Sequence, residues 1–337
     1  MKCFNPIKAL RTPDNDIIFS SDESLGISEL MIPCGQCIGC RLQKAETWAI
    51  RMIHESQFHD ENCFITLTYS DEYLPFDGSL DYSHPTKFLK RLRSFLKSNG
   101  YEQEISYYYA GEYGDQLGRP HYHMILFGFD FSSPLTYKGT INEKVLQFET
   151  DKGHKYYTST LLTDLWSLGH ANLSNVTYDT CMYTSKYVTK KMTGAYQMSH
   201  YQKVHSLTGE FVEVLPEQAR MSRKYPIGKK WIESFWKDAY PSDFIIYENK
   251  KLKVPKYYDK WLEEKFPTLY DQIKIHREEN ASIIDNARLN REYECMLRKH
   301  ENYRSSLGEE TNINPFDSSI MNYKKDQIND FHINNKE

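Results

Sequence analysis

The sequence predicts an α+β sandwich built on a mixed or antiparallel sheet. Two observations carry that reading. Runs with helical periodicity alternate with short apolar runs rich in β-formers through the first half of the chain. Two adjacent strand-like runs, EISYYYAGEYG and HYHMILFGF, flank DQLGRP, whose glycine and proline mark a hairpin loop. Helices interleaved with an antiparallel hairpin fit this class and not a wholly parallel sheet.

The elements follow in order. Residues 1–45 read as an irregular, cysteine-rich segment, broken by Pro6, Pro13 and Pro33. RLQKAETWAIRMIHESQFH is a helix, because Leu42, Ala45, Trp48, Ala49, Met52 and Ile53 recur at helical spacing. CFITLTY, residues 63–69, is a strand. SHPTKFLKRLRSFLKSNG is a second helix, with Pro85 in its first turn, an apolar stripe of Phe88, Leu89, Leu92 and Leu96, and Gly100 as its stop. The hairpin comes next, followed by a less regular stretch from Asp130 to Thr160. LLTDLWSLGHANLSNVT then gives a short helix and a strand, and DTCMYTSKYVTKKMTG a helix stopped by Gly194. Pro216, Pro226, Pro241, Pro255 and Pro267 punctuate a basic, loop-rich region. Residues 269–337 read as a charged, weakly helical and then disordered tail. Four segments result: 1–45, 46–200, 201–268 and 269–337.

A chain of 337 residues accommodates one large domain with appendages or two ordinary ones. No run approaches the roughly 18 apolar residues of a membrane span, which excludes that class. The N-terminus lacks the apolar core of a secretory signal, so the expected setting is a reducing cytoplasm. There the seven cysteines serve as thiols, metal ligands or catalysts, not disulfides. The formal charge of -4 argues against a simple nucleic-acid coat. Locally, however, residues 182–260 hold 15 Lys and Arg against 8 Asp and Glu, a net of +7 that leaves -11 for the rest. That asymmetry points to a localised polyanion site. The 26 tyrosines suit base stacking beside it, as they also suit half-buried strands.

Three constellations carry chemistry. In GRPHYHMILFG, His121 and His123 stand at i and i+2 of a strand and share a face, while Tyr122 takes the other. Glu112, on the preceding strand, falls opposite them if the hairpin turns through Asp115 to Arg119. A His, His, carboxylate set suits Mg²⁺ or Mn²⁺ bound with a phosphate oxygen. The same pattern also fits a solvent-facing pair. In YTSKYVTKK, Tyr183, Lys186, Tyr187 and Lys190 follow i, i+3, i+4, i+7 along one helix face. Phenols become nucleophiles toward phosphorus where cations ease deprotonation from a free pKa near 10. An exposed basic helix resting its tyrosines on a sheet is the competing reading. Cys34, Cys37 and Cys40 form a C-x2-C-x2-C triple with Cys3 as a fourth thiolate, which suits structural Zn²⁺, with an iron–sulfur cluster or unligated thiols as alternatives. Cys63, Cys181 and Cys295 read as ordinary core or helix residues. SRKYPIGKKW, with Arg223, Lys224, Lys229 and Lys230, and KKLKVPKYYDK interleave cations with aromatics as a single-strand DNA track or a solvated loop would.

The FITLTY run, the H-x-H strand and the Y-x3-Y helix with its lysines together resemble the three signature motifs of HUH endonucleases, the rolling-circle replication initiators. More closely, PCGQCIGCRLQKAETWAIRM, GEYGDQLGRPHYH, MSRKYPIGKKW, YPSDF and PKYYDK resemble the replication initiators of gokushovirus-type Microviridae, from Cys3 to about Lys265. The resemblance implies a ferredoxin-like or RRM-like sheet with His121 and His123 on its central strand and the nucleophile helix packed across the metal site. It implies nicking and joining of single-stranded DNA at an origin through 5′-phosphotyrosine, using Tyr183 and Tyr187. Lys190 matches the lysine of the third motif, and Lys186 is a second candidate. Residues 46–200 then form the endonuclease core and 201–268 a DNA-binding extension. Host helicase and polymerase are the implied partners, and the cytoplasm of a bacterial host the implied location. A non-catalytic zinc-containing single-stranded DNA-binding protein and a cluster-dependent redox enzyme are the alternatives from other classes.

Overall fold

The computed structural model describes residues 3–281 apart from 15, 21, 23, 24, 27, 103, 115, 116, 134, 152, 187–196 and 205–207. The described chain forms two compact units. One comprises the residues up to Gln43 with those from Asp271 on, and the other runs from Lys44 to Tyr270.

The first unit holds a three-stranded antiparallel sheet in the order β2-β1-β3, formed by β1 (Ile7–Arg11), β2 (Ile17–Ile18) and β3 (Ser28–Ile32). Ala9 and Leu10 are its buried residues. This segment is more regular than its prolines predict, because strands of two to five residues interrupted by Lys8, Arg11 and Glu29 carry no readable alternation.

The second unit is built on β4 (Asn62–Tyr69), β5 (Ser106–Tyr113), β6 (Pro120–Phe127), β9 (Val145–Glu149), β10 (Lys155–Thr158), β11 (Gly169–Ser174) and β14 (Ala219–Met221). They form one antiparallel sheet in the order β14-β5-β6-β4-β11-β10-β9. The helices are α1 (Ile38–Ser56), which begins in the first unit, α2 (Ser83–Ser98), α3 (Thr160–Trp166), α4 (Tyr178–Lys186), α5 (Gln197–Tyr201), α6 (Lys229–Ala239), α7 (Lys256–Lys265) and α8 (Pro267–Ala281). Three small hairpins complete the inventory: β7 (Thr136–Tyr137) with β8 (Thr140–Ile141), β12 (Gln202–Val204) with β13 (Phe211–Glu213), and β15 (Phe244–Tyr247) with β16 (Lys250–Lys253). In chain order β4-α2-β5-β6-α3-β11 is a βαββαβ unit whose strands lie in the order β11-β4-β6-β5, the ferredoxin-like arrangement. The expected α+β sandwich with an antiparallel sheet is thus what the chain adopts. Residues 130–160 and 201–268 contain more strand and helix than their proline spacing predicts.

Alternation sends the odd residues of β4 and β11 and the even residues of β6 to one face. There Ile65, Leu67, Tyr122, Met124, Leu126 and Leu173 pack with Phe88, Leu89, Leu92 and Leu96 of α2 and Leu161, Leu162, Leu165 and Trp166 of α3. The α2 stripe read from the sequence is the stripe buried here. Arg91 donates from Nε to the Leu165 carbonyl (2.8 Å) and from Nη2 to that of Trp166 (3.0 Å), satisfying the end of α3. On the opposite face Phe64, Tyr108, Ile125 and Phe127 pack with Ala49, Met52 and Ile53 of α1 and Cys181 of α4. Ser185 Oγ donates to the Ala45 carbonyl (2.9 Å) and fastens α4 to α1. This bond fixes the helix that carries Tyr183.

The outer side of α1 holds α6 and α7. Arg51 lies between the rings of Trp48 and Tyr257 (4.2 and 4.3 Å) and donates to the Ile227 carbonyl. Gly228 turns into α6 at φ +79°, and a Cβ there would meet the Tyr258 hydroxyl at 2.5 Å, so glycine is required. His54 stacks on Trp231 with centroids 3.5 Å apart, and its Nδ1 lies 2.9 Å from the Tyr258 hydroxyl. Burial brings its pKa down to about 3. The unfolded chain takes up a proton near pH 6.5, whereas the folded one stays neutral until about pH 3. The contribution is therefore complete above about pH 6.5 and is lost as pH falls toward 3. Thermal melts across that window will show a shallower acid decline for His54→Phe than for the parent, with a difference on the order of 2 kcal/mol by pH 4.

Candidate metal centre and nucleophile helix

The hairpin of β5 and β6 places Glu112 opposite His121 and Ala110 opposite His123. Opposed residues of an antiparallel pair share a face, so the two imidazoles and the carboxylate converge. Glu112 Oε1 is 3.6 Å from His121 Nε2, and Glu112 Oε2 is 3.7 Å from His123 Nε2. These separations exceed hydrogen-bond length. They match two donors each about 2.1 Å from a common ion. All three donor atoms lie within 4.8 Å of one another. The expected His, His, Glu set is therefore brought together and fits a divalent cation.

The far nitrogens are held as well. His121 Nδ1 is 3.1 Å from the Arg119 carbonyl, and His123 Nδ1 is 3.2 Å from Thr66 Oγ1. Arg119 in turn pairs with Asp71 (2.6 Å) and donates to the Tyr69 carbonyl (2.9 Å). Both rings thus turn Nε2 toward Glu112, as supported metal ligands do. Sequence reasoning missed Thr66 and Arg119. Thr66 was findable, since it shares a parity with Phe64 on a strand already identified, whereas Arg119 acts through its backbone carbonyl and leaves no residue-type signal.

Tyr183 lies edge-on to His123 with centroids 4.8 Å apart and against Phe64 at 6.1 Å, and its side chain is 44% exposed. It faces the metal candidate from α4 while remaining open to a substrate. Lys186, in the last turn of α4, is exposed. Tyr187 and Lys190 lie outside the described residues. Arg223 and Lys224 line a cavity of about 780 Å³ with Arg93, Lys97, Tyr107 and Tyr225. Ser222 is bonded to Tyr107 at the start of β5, so this cavity lies at the strand end away from Glu112. Lys224 pairs with Glu104 (2.9 Å), Lys229 with Glu233 (3.7 Å), and Lys230 is exposed. None of these four cations is brought to the histidines.

In the first unit the Sγ atoms of Cys3, Cys34, Cys37 and Cys40 lie within 4.8 Å of one another. Cys3 and Cys37 sulfurs are 3.9 Å apart, close to the edge of a tetrahedron with about 2.3 Å zinc–sulfur bonds. Backbone N–H groups of Cys34, Cys37 and Phe4 point at the sulfurs of Cys3, Cys34 and Cys37 (3.2, 3.3 and 3.4 Å). Burial opposes ionisation of Cys37, but these and neighbouring hydrogen bonds outweigh it and bring the thiol down to about 7. Burial raises Cys3 and Cys40. The four-thiolate set expected from the C-x2-C-x2-C spacing is assembled. Cys63 and Cys181 are buried, as ordinary core residues are, and Cys295 lies outside the described residues.

A ferredoxin-like sheet with an H-x-H strand beneath a tyrosine-bearing helix is the architecture of the HUH type. Residues 62–192, from β4 to beyond α4, match the family model of the ORF2-type replication-associated proteins. Replication-associated protein VP4 of Bdellovibrio phage phiMH2K is 32% identical over 293 residues, covering 84% of this chain and 85% of that protein. Replication-associated protein ORF2 of Spiroplasma virus 4 is 31% identical over 261 residues, 74% of each. Replication-associated protein ORF4 of Chlamydia phage 1 is 34% identical over 165 residues, 48% of this chain and 38% of that one. No solved structure matches the chain. The chain belongs to the phage replication-associated proteins, the Microviridae-type replication initiators, and its role lies in phage replication. Among the described residues no helix is long and apolar enough to cross a membrane.

Both centres can be probed by measurement. Thr66→Val removes the partner of His123 Nδ1, and calorimetric titration with Mn²⁺ will show affinity falling about ten- to a hundredfold with the fold intact. Cys37→Ser will lower the melting temperature and reduce zinc per chain measured by elemental analysis, since metal binding and folding are coupled.

Proposed function

We propose that the protein nicks and rejoins single-stranded DNA at a rolling-circle origin through 5′-phosphotyrosine intermediates. The observation that carries this reading is Tyr183 standing against His123 beside Glu112 and His121. Glu112, His121 and His123 would hold Mg²⁺ or Mn²⁺, which supplies Lewis-acid polarisation of the scissile phosphate. The Tyr183 phenol loses its proton and its oxygen bonds to phosphorus. The bond from phosphorus to the 3′-oxygen breaks, and that oxygen takes up a proton as the free 3′-hydroxyl. Lys186, and Lys190 further along the sequence, lower the cost of the phenolate and meet charge gathering on the phosphate. In the reverse sense, a 3′-hydroxyl attacks the phosphotyrosine, the DNA is resealed and the phenol is released.

Tyr187, four residues on, gives the chain a second nucleophile, so that one tyrosine cuts the regenerated origin while the other still carries the first end. The free 3′-end primes a host polymerase behind a host helicase in the bacterial cytoplasm. Arg223, Lys224, Lys229 and Lys230, within a 201–268 extension of the 46–200 core, engage DNA away from the cut. Residues 1–45 are held by a structural zinc on Cys3, Cys34, Cys37 and Cys40, and 269–337 form a tail.

Single-stranded oligonucleotides tiled across the cognate phage genome test the reading. Tyr183→Phe and Tyr187→Phe will each retain some cleavage and lose multi-round circle release, while the double variant forms no covalent adduct. Mass spectrometry placing the DNA on another tyrosine, or an adduct surviving in the double variant, defeats the assignment. Binding without any adduct would leave a non-catalytic DNA-binding protein.

A further inference from the structure

The two histidines belong to rows that cross the sheet. One runs Glu112, His121, Thr68, His170 through β5, β6, β4 and β11, and the next runs Ala110, His123, Thr66, Asn172. Paired residues share a face, so His170 and Asn172 lie on the surface that carries the metal candidate. Exposure rises along the first row. The side chain of Glu112 is 4% exposed and that of His121 17%, Thr68 is half-buried, and His170 is exposed. On the β5 side the same face is closed, with Tyr108 and Ala110 fully buried. Helix α4 contacts β5 and β6 there. The β4 and β11 side is polar and open at this end of the sheet. Asn172 Oδ1 is buried there, without a hydrogen-bond partner among the described residues.

We infer that the substrate strand crosses β4 and β11, and that Thr68, His170 and Asn172 form a subsite for the nucleotides flanking the scissile phosphate. The inference rests on the nicking reading and extends it to how the strand lies. Two interstrand spacings put His170 roughly 10 Å from His121. At about 3.4 Å per nucleotide along a stacked strand, that is within about three nucleotides of the cut. His170 offers a ring nitrogen to a phosphate or base edge. Asn172 Oδ1 is an acceptor for an exocyclic amino group, the feature that separates adenine and cytosine from thymine.

The test uses the full chain and a pool of short randomised single-stranded oligonucleotides. Equilibrium binding in EDTA, with sequencing of the bound fraction, is followed by adduct formation on tiled genomic oligonucleotides with Mn²⁺. His170→Ala will bind the sequences selected by the parent about five- to tenfold more weakly. His170→Glu will weaken binding further by repelling phosphate, and Asn172→Ala will relax preference at a position within about three nucleotides of the cut. Melting temperatures will stay at the parent value. Folded variants that keep parental affinity and preference overturn the subsite, even while the parent still forms its adduct and the nicking reading stands. Parent protein that binds the pool and shows these losses without forming an adduct sinks the nicking reading and retains the strand path.

Discussion

In the pairing of β5 with β6, Glu112 stands opposite His121 and Ala110 opposite His123, and both Nε2 atoms look toward one carboxylate. Side chains alternate, so a slip of one residue would turn Glu112 into the apolar layer of α2 and α3 and leave the histidines without their acid. The register is held from that other layer. Tyr109, Tyr122 and Met124 are fully buried, and Gly111 has no room for a side chain because a Cβ would come within 3.0 Å of Leu80 and the Tyr82 hydroxyl. The turn adds a bond from the Gly114 N–H to the Arg119 carbonyl (2.9 Å), the same carbonyl that faces His121 Nδ1. One backbone oxygen therefore ties the hairpin's closure to the orientation of a candidate ligand.

The remaining architecture positions Tyr183 against that pair. Phe64, Tyr108, Ile125 and Phe127 make the lower half of the face an apolar seat for α1 and α4. Ser185, two residues beyond Tyr183, locks α4 to Ala45. Losing that single bond would cost only about 1 kcal/mol of stability, yet it sets the pitch at which the phenol meets His123. The same face is thus divided by chemistry, with an apolar half that fixes the helix and a polar half of Thr66, Thr68, His170 and Asn172 that stays open.

How much of this was legible in the sequence depends on the length of each signal. The α2 stripe, the FITLTY strand and the H-x-H pair were readable because eight or more residues kept one period, and the partner for Glu112 followed from hairpin geometry. The cysteine spacing named four sulfurs that the fold brings together. The first three strands were not readable, being too short and too often interrupted by charge. Nor were α6 and α7, whose packing on α1 depends on contacts across more than 170 residues, such as Arg51 to Ile227. The row to His170 and Asn172 was hidden for a further reason, since it exists only through the pairing of β4 with β11, and register between distant strands is written in no local pattern.

An anionic substrate on a chain of net charge -4 poses a question of its own. Affinity for DNA built on phosphate contacts is non-specific and falls steeply with salt. In this protein the described cations beside the site are few. Arg119 is paired with Asp71, and Lys186 sits one turn from Tyr183. The larger group of Arg93, Lys97, Arg223 and Lys224 lies at the far end of β5 and is interleaved with Glu102 and Glu104. Charge so distributed disfavours indiscriminate coating of DNA and leaves recognition to neutral donors and acceptors near the cut. A polar, weakly charged floor beside the metal candidate is then what an enzyme acting at one origin needs, because discrimination between sequences comes from base edges and not from the backbone they share.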